Sequence, residues 1–230
     1  MLRLSPRLAA AASLIEGGEK HVDIGTDHAY LPVWLVQSGK CAHVLATDIG
    51  VLPLKNAEKT LLRYGAQEAV SLRISNGLQN VRPEEAEEIS ICGMGGTLIA
   101  DILAEAPWIK KPGMRLVLQP MTHGEDVRKY LCENGFAIRK EICITEPPRR
   151  VYCCIAAAFT GNAVQVSPGF YYFGTLLCAG GAAKAYVRKQ YDRIVTRAEA
   201  LRQAERFPEE EAVLREAIRY YLEQVNGDDD

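Results

Sequence analysis

The sequence predicts an α/β protein whose Rossmann-like sheet has five parallel strands plus an antiparallel hairpin, followed by a C-terminal α-helical hairpin of coiled-coil-like character. Three observations predict this fold. Short apolar runs alternate with amphipathic stretches from residue 21 to about residue 160, two later apolar runs leave no room for a helix between them, and apolar residues recur at helical spacing near the C-terminus.

Composition limits the classes of function. Of 230 residues, 48% are apolar and 24% are charged, so the chain can bury a full core and is not disordered. Lys and Arg number 27 against 29 for Asp and Glu, a formal net charge of −2. That balance excludes a protein held to nucleic acid by bulk charge alone, although it leaves room for a local basic face.

Cysteine usage and hydropathy indicate the compartment. The seven cysteines are odd in number and show no Cys-x-x-Cys spacing, which argues against a disulfide framework and a structural zinc site. Free thiols in apolar runs are typical of a reducing cytoplasm. No apolar run approaches the roughly 20 residues that cross a bilayer. We therefore expect a cytoplasmic protein without a membrane partner.

The strands are predicted from short apolar runs, each followed by a turn signal. Nearly continuous apolar character is typical of parallel strands buried on both faces. The predicted parallel strands are His21–Ile24, Val44–Thr47, Val70–Ile74, Ile89–Cys92 and Arg115–Gln119. The next two runs, Phe136–Thr145 and Val151–Phe159, are joined by five residues and predict an antiparallel hairpin that closes the sheet edge.

Helices are predicted between the strands and before the first of them. A first amphipathic helix near residues 8–15 is expected to cover the sheet. The others are Tyr30–Ser38, Leu52–Tyr64, Thr97–Glu105 and Glu125–Asn134, with C-cap glycines expected at Gly39, Gly65 and Gly135.

The pattern changes after residue 160. Residues 161 to about 173 are predicted to be a linker because they contain Gly161, Pro168 and Gly169. Two helices with heptad-like seams then follow, separated near Pro208; their seam residues are Val187, Tyr191, Ile194, Ala198 and Leu201, then Leu214, Ile218, Tyr221 and Val225. We predict two domains, residues 1–160 and 161–230, with Asp228 to Asp230 as a frayed tail.

The turn after the first strand carries the strongest chemical signal. In an open α/β sheet this carboxyl end borders the ligand crevice. Gly25 permits a tight turn, but Asp27 stands where a dinucleotide fingerprint requires its second glycine. A carboxylate there would face a pyrophosphate at a helix N-terminus, so it disfavours NAD and FAD. It favours a ligand with a cationic amino group, such as S-adenosylmethionine.

Two further strand tips support that cofactor. Asp48, at the end of the second strand, can accept hydrogen bonds from both ribose hydroxyls of an adenosine. Ser75-Asn76-Gly77, at the third strand tip, can border the adenine ring. A purely structural interpretation stays open: Asp23 as a turn-capping acid, and Asp48 as the N-cap of the helix near Leu52.

Four segments together carry a family resemblance: Leu4-Ser5-Pro6-Arg7-Leu8, the run from Asp23 to Pro32, Ile91-Cys92-Gly93-Met94-Gly95-Gly96, and Leu118-Gln119-Pro120. With them, residues 2–160 resemble the bacterial tRNA (adenine(22)-N1)-methyltransferases. The resemblance implies a class I methyltransferase domain with a helical appendage, S-adenosylmethionine as cofactor, and methylation of N1 of an adenine in the tRNA D-arm. Cys92 stands where alanine is common in that family.

The resemblance also implies roles for residues. Its cofactor-binding positions are Asp23, Gly25, Asp27, Asp48, Ile49, Asn76, Gly77, Gly93, Met94 and Gly95, with Gly93 to Gly95 as the wall beside the transferred methyl. Asp27 would stabilise the cationic product and His28 would orient the base or receive a proton, so these two are the catalytic candidates. Substrate contacts would come from Arg7, Tyr30, Gln119 and Pro120, with Tyr30 stacking on the base and Gln119 reading its Watson–Crick edge.

RNA binding must come from local basic groups. The candidates are Arg3, Arg7, Lys110, Lys111, Arg149, Arg150, Arg188, Lys189, Arg193 and Arg197, of which the last four lie on the first C-terminal helix. We therefore hypothesise that the helical hairpin helps to grip tRNA outside the active site. A solvated helix face is the ordinary interpretation of such charges, and nearby glutamates dilute them.

Other interpretations of the whole chain remain. The scattered His21, His43 and His123 predict no metal site, and we favour a monomer. His28, Tyr30 and Trp34 can be packing residues of one helix. The protein can also be a methyltransferase for another RNA or a small molecule, or a catalytically silent RNA-binding protein with the same fold.

Overall fold

The computed structural model describes residues 1–148, 150–177 and 179–226. Its strands are β1 Gly18–Ile24, β2 Cys41–Asp48, β3 Val70–Ile74, β4 Glu88–Met94, β5 Arg115–Pro120, β6 Phe136–Glu146 and β7 Arg150–Phe159. They form one seven-stranded sheet in the order β3-β2-β1-β4-β5-β7-β6. Strands β1 to β5 are parallel, and β7 runs antiparallel to both β5 and β6. The predicted fold class is confirmed.

The helices agree with the predicted ones within a few residues. They are α1 Pro6–Leu14, α2 Tyr30–Gln37, α3 Val51–Tyr64, α4 Gly96–Ala104, α5 Gly124–Glu133, α6 Pro168–Phe173, α7 Ala182–Ala204 and α8 Pro208–Asn226. Gly65 is the C-cap of α3, whereas Gly39 and Gly135 lie one residue beyond the caps of α2 and α5. Among the described helices, none is long and apolar enough to span a bilayer.

The sheet is covered on both faces, which explains why its strands are nearly continuous apolar runs. Val22, Leu116 and Leu118 belong to the core that includes residues of α4 and α5. Val44 and Val117 belong to a second core on the opposite face, which includes residues of α1 to α3. Adjacent residues of β5 thus point into different cores, as the two-residue period of a strand requires.

The predicted linker is wrong in part, because it contains α6. Pro168 occupies the first turn of this helix and the Ser167 hydroxyl accepts a hydrogen bond from the Gly169 N–H at 3.1 Å, a capped helix start. The helix has only six residues, too few for an apolar period to be recognised in the sequence.

The C-terminal helical hairpin is present, and α8 begins at Pro208 as expected from the break there. Most of the predicted seam is buried or half-buried, but Val225 is exposed and Ala217, outside the predicted seam, is fully buried. The seam prediction is therefore wrong at its last position. The predicted tail, residues 228–230, lies outside the described residues.

A buried ion pair joins the C-terminal helices to the sheet. Arg128 of α5 donates to Glu141 of β6 at 2.7 Å, and both side chains are fully buried. The guanidinium also donates to the Tyr171 carbonyl at 3.0 Å and lies over the Tyr186 ring at 5.8 Å. Glu141 in turn accepts from the Thr175 N–H at 2.7 Å. One arginine thus ties α5, β6, α6 and α7 together.

Breaking this pair should destabilise the whole molecule. Glu141→Gln leaves the Arg128 guanidinium buried without a counter-charge, so we expect the free energy of unfolding to fall by about 3–5 kcal/mol. Urea denaturation followed by circular dichroism measures it. Asp192→Asn is the matched control, because it breaks the exposed 3.0 Å pair with Arg188 and should cost about 1 kcal/mol or less. Equal losses in the two variants would contradict the role assigned to the buried pair.

Candidate active site

A cleft opens where the strand order reverses. β2 and β3 lie to one side of β1, whereas β4 lies to the other, so the loops after β1 and β4 leave in opposite directions. The cleft there has a volume of about 480 Å³, within the usual range for small-ligand sites. It is lined by Arg3, Leu4, Ser5, Arg7, Leu8, Asp23, Gly25, Thr26, Asp27, His28, Tyr30, Leu31, Cys92 and Gly93.

The turn after β1 has an unusual backbone. Gly25 has φ +71°, and a Cβ added there would overlap the Met94 methyl group. Asp27 and Ala29 also have positive φ, at +49° and +54°, although neither is glycine. Such conformations cost free energy and are concentrated at functional sites. The N–H groups of Gly25 and Thr26 both donate to the Thr47 carbonyl at 2.9 Å, which holds the turn against β2.

Asp23 places a buried carboxylate at the inner end of the cleft. Its Oδ1 accepts a hydrogen bond of 2.6 Å from the Ser90 hydroxyl. Burial raises the pKa of Asp23, and the Ser90 hydrogen bond opposes that shift. Beside it, the buried Thr26 hydroxyl is near enough to lower the pKa of Asp23 as well, but its geometry forms no hydrogen bond among the described residues. The cleft therefore contains a polar atom that a bound ligand can satisfy.

Asp48 joins the first turn to the end of β2. Its Oδ2 accepts from the Asp27 N–H at 3.1 Å and its Oδ1 from the Gly50 N–H at 3.0 Å. The structural interpretation of Asp48 as a helix N-cap is wrong, since Gly50 is the N-cap of α3. A carboxylate offers about four acceptor sites, so both oxygens can still receive hydroxyl protons.

The third strand tip is shaped by Ser75. Its hydroxyl donates to the Gly77 carbonyl at 2.8 Å and accepts from the Asn80 N–H at 3.1 Å, leaving Asn76 exposed. Two apolar side chains at neighbouring strand ends are also exposed, Ile49 by 68% and Ile74 by 51%. Exposed isoleucines at the ligand edge of a sheet offer apolar surface to a flat ring. Ile74 was missed by the sequence interpretation.

Helix α1 closes the side of the cleft formed by β4 and β5. The Arg7 guanidinium donates to the Gln119 amide oxygen at 2.6 Å, and Gln119 donates to the Pro120 carbonyl at 2.9 Å. A Cβ at Gly93 would lie 3.1 Å from the Arg7 guanidinium, so the absence of a side chain there gives Arg7 its room. Gln119 is fully buried, and it positions Arg7 from behind.

Asp27, His28 and Tyr30 stand at the mouth. The side chains of Asp27 and His28 are 64% and 40% exposed, and Asp27 Oδ2 lies 3.7 Å from His28 Nε2. The His28 ring stacks on Tyr30 with centroids 5.2 Å apart and an interplanar angle of 7°. Burial raises the pKa of the Cys92 thiol well above its usual value, which opposes formation of the nucleophilic thiolate.

The structure brings together only part of the predicted site. Seven predicted residues line the cleft: Arg7, Asp23, Gly25, Asp27, His28, Tyr30 and Gly93. The others surround it without lining it: Asp48, Ile49, Asn76, Gly77, Met94, Gly95, Gln119 and Pro120. The sequence interpretation missed the unpartnered hydroxyl of Thr26. It also missed the hydrogen bond from Ser90 to Asp23, which could have been suspected because Ser90 is a polar residue inside the apolar run of β4. No group of three metal-ligating side chains occurs among the described residues.

Comparison with known proteins decides the family. Residues 4–155 match the methyltransferase domain family. The chain is 34% identical over 194 residues to the tRNA (adenine(22)-N(1))-methyltransferase of Bacillus subtilis, covering 84% of this chain and 78% of that protein. The chain belongs to this methyltransferase family. The resemblance predicted from the sequence is confirmed.

Solved structures of similar proteins agree. The crystal structure of the B. subtilis m1A22 tRNA methyltransferase TrmK has a TM-score of 0.84 at 27% identity, covering 98% of this chain and 100% of that one. A Streptococcus pneumoniae structure described as a putative tRNA (m1A22) methyltransferase in complex with S-adenosyl-L-methionine has a TM-score of 0.78 at 27% identity, covering 94% and 100%. Both similarities extend through the C-terminal helices.

The strained turn of this methyltransferase can be tested by stability. Gly25→Ala forces a side chain into φ +71° and against Met94, whereas Gly39→Ala meets nearly the same φ, +72°, with nothing within 4 Å. Because the Met94 methyl is the end of a flexible side chain that can move aside, we expect both variants to lower the free energy of unfolding by a similar amount, about 1 kcal/mol, which is the cost of positive φ. Guanidinium denaturation measures both. A loss at Gly25 clearly larger than at Gly39 would show instead that Met94 is held in place and constrains the turn.

Proposed function

We propose that the protein transfers the methyl group of S-adenosylmethionine to N1 of the adenine at position 22 of bacterial tRNA. The observation that carries the proposal is the pair of acids at the switch point: Asp23 buried inside the cleft and Asp27 at its mouth, where a dinucleotide-binding loop has glycine. Two carboxylates in this place favour a positively charged ligand and oppose a pyrophosphate. The relatives are named for this reaction and one is a complex with this cofactor.

The residues present fit the cofactor. Asp23 and Asp27 would receive its amino group, and the unpartnered Thr26 hydroxyl supplies a further polar contact. Asp48 would hold the ribose hydroxyls with acceptor sites that its backbone contacts leave open. Ile49 and Asn76, with Gly77 and the exposed Ile74, would border the adenine. When bound, the cofactor supplies an electrophilic methyl group.

The acceptor nitrogen needs little chemical activation. Adenine N1 carries an in-plane lone pair, so positioning it and stabilising the cationic product are the main tasks. Asp27 provides a carboxylate at the cleft mouth for that charge. The His28–Tyr30 stack offers a flat surface for a base taken out of its helix, and His28 can orient that base. Gly93, Met94 and Gly95 would form the wall beside the methyl.

Arg7 and Gln119 would act as one unit on the substrate side. Gln119 holds the Arg7 guanidinium at 2.6 Å, and its amide nitrogen is engaged by the Pro120 carbonyl. Reading of the Watson–Crick edge by Gln119 stays a prediction that requires its amide to leave these partners. In the present geometry Arg7 is the group that faces the cleft, and Gln119 with Pro120 fixes where it points.

A second groove leads away from the cleft and is the best-placed surface for tRNA. It has a volume of about 410 Å³, shares Arg3, His28 and Tyr30 with the cleft, and continues along α3 past Lys59 and Arg63. Among the described residues, none of its three cationic side chains forms an ion pair with a carboxylate. Uncompensated cations beside the base pocket fit a phosphate backbone.

The basic residues of α7 support RNA binding less well. Arg188, Arg193 and Arg197 pair with Asp192, Glu125 and Glu210 at 3.0, 2.8 and 2.8 Å. On the other side, Lys110 donates to the Asn134 side chain and Lys111 to the Pro83 carbonyl. Arg149 lies outside the described residues. The hypothesis that the helical hairpin grips tRNA therefore stays a prediction, and the groove along α3 is the stronger candidate.

We also propose the domain division at residues 160 and 161, with the second domain as an appendage that shares its core with the first. Val187, Ile194 and Leu201 of α7 belong to the same buried cluster as the strands of the sheet. The Arg128–Glu141 pair adds a polar link at that junction. We propose a cytoplasmic location, because the proposed substrate is tRNA.

The central experiment is direct. The protein is incubated with radiolabelled S-adenosylmethionine and unmodified bacterial tRNA transcripts, and the labelled nucleoside is mapped by mass spectrometry. We expect 1-methyladenosine at position 22 and no incorporation into a transcript with guanine there. Cofactor binding without incorporation into any tRNA would support a methyltransferase for another substrate instead. Neither binding nor incorporation would point to a silent RNA-binding protein.

Two acids are predicted to act on different steps. Asp48→Asn should weaken S-adenosylmethionine binding about tenfold or more, because a charge-assisted hydrogen bond is lost and the Asp27 N–H loses a charged partner. Asp27→Asn should lower kcat more than it raises the Kd for tRNA. Calorimetry and single-turnover kinetics separate these effects. An unchanged cofactor affinity in Asp48→Asn would show that Asp48 does not bind the ribose.

The groove is tested by charge removal. Lys59→Ala and Arg63→Ala should each weaken tRNA binding and reduce the slope of log K against log salt by about 1, since each loses one phosphate contact. Filter binding at salt concentrations from about 50 to about 200 mM measures this slope for each variant. Arg188→Ala is the matched control, because that arginine is already paired with Asp192. A larger effect at Arg188 than at Lys59 would move the RNA surface to α7.

A further inference from the structure

A row of four polar side chains crosses the apolar interior between β1 and β4. Glu88 Oε2 lies 3.3 Å from His21 Nδ1, His21 Nε2 lies 2.9 Å from the Ser90 hydroxyl, and that hydroxyl donates to Asp23 at 2.6 Å. The parallel register sets His21 opposite Glu88 and Asp23 opposite Ser90. All four are more than nine-tenths buried. The row runs from the amino end of the strands to the cleft.

The directions of these hydrogen bonds are constrained. An ionised Asp23 only accepts, so the single proton of the Ser90 hydroxyl must point toward Asp23. His21 must then donate from Nε2, because Ser90 has no second proton to give. If Nε2 carried only a lone pair, it would compete with Asp23 for the Ser90 proton. With an ionised Asp23, a His21 ring that donates from Nε2 therefore leaves the Ser90 proton directed at Asp23.

The other end of the row holds a second buried carboxylate, that of Glu88. Although burial opposes it, hydrogen bonds from His21 and from the backbone N–H groups of Glu16 and Gly17 hold the pKa of Glu88 below its usual value. An ionised Glu88 can accept a hydrogen bond from His21 Nδ1, 3.3 Å away. Arg115, whose Nε lies 3.5 Å from Glu88, adds a cation at that end.

Burial alone would leave Asp23 poorly suited to its task. It raises the pKa of Asp23 and so favours the protonated, neutral form, which attracts a cationic amino group far less than the carboxylate does. The Ser90 hydrogen bond acts in the opposite direction and is available only in one hydroxyl orientation. No atom of His21 or Ser90 lines the cleft. Their influence on a ligand must therefore pass through Asp23.

We propose that Ser90 and His21 are positioning residues that keep the Asp23 carboxylate ionised and aimed at the amino group of the bound cofactor. The inference rests on the proposed placement of Asp23 against that amino group. A structural role alone would stabilise the sheet without affecting which part of a ligand is recognised. The two possibilities differ in how they treat ligands with and without an amino group.

The test compares two ligands by calorimetry: S-adenosylhomocysteine, which carries the amino group, and 5′-methylthioadenosine, which lacks the amino-acid portion. In Ser90→Ala we expect the Kd for S-adenosylhomocysteine to rise about tenfold or more, since a hydrogen bond to a charged group is lost. The Kd for 5′-methylthioadenosine should change by less than about twofold. Ser90→Thr retains the hydroxyl and should restore the preference, and His21→Leu should reduce it.

Two further variants make each outcome decisive. Tyr130→Phe removes another buried hydroxyl, one that donates to the Leu103 carbonyl at 2.9 Å and does not line the cleft, and should change neither Kd. Asp23→Asn should abolish the preference for S-adenosylhomocysteine. If Asp23→Asn leaves it intact, the placement of Asp23 is wrong. The positioning role is overturned if Asp23→Asn abolishes the preference but Ser90→Ala does not reduce it. That result includes equal weakening of binding for both ligands and no change in either Kd. Thermal melting confirms that each variant is folded.

Discussion

The burial of Asp23 at the point where the strand order reverses constrains everything around it. A carboxylate removed from water needs donors, and the neighbouring strand supplies one in the Ser90 hydroxyl. The chain must also turn sharply at once, which Gly25 permits and the Thr47 carbonyl fixes by accepting two N–H groups. Because the turn is held from β2 and the acid from β4, the site exists only when three strands are in register. Its geometry is therefore a property of the sheet and not of a loop.

Proteins with this common fold bind different ligands, and the charges in the cleft affect which of those ligands can bind here. Two unit charges of like sign 4 Å apart repel by about 1 kcal/mol in water and by about 4 kcal/mol at the effective dielectric of a protein surface. A pyrophosphate beside Asp27 and Asp48 would meet more than one such interaction, enough to overcome the attraction of a helix N-terminus, about 0.3–1 kcal/mol per anion. An amino group gains from the same charges. One residue, Asp27 in place of glycine, thus separates two classes that share an architecture.

The features that could be predicted from the sequence are local in the chain, and those that could not be predicted depend on contacts between distant residues. The alternation of strands and helices, the closing hairpin and the turn from Asp23 to Asp27 are local in the chain, and local patterns show them. The row from Glu88 to Asp23 is not local, because it depends on β1 pairing with β4 some 67 positions away. For the same reason His21 looked isolated in the sequence. The ion pairs of α7 and the occupied amide of Gln119 likewise follow from packing, which a single sequence does not display.

The position of the C-terminal helices bears on where RNA can lie. Arg128 is fully buried against Glu141 and the Tyr171 carbonyl, which joins the C-terminal helices to the α5 side of the sheet. The first turn of α8 is acidic at Glu209, Glu210 and Glu211, and Glu210 neutralises Arg197. Arg3, Lys59 and Arg63, which form no ion pair among the described residues, line a groove on the α1 and α3 side, next to the His28–Tyr30 stack. Because Arg3, Lys59 and Arg63 border the surface proposed to receive the base, we expect this groove to attract a polyanion next to the place of methyl transfer.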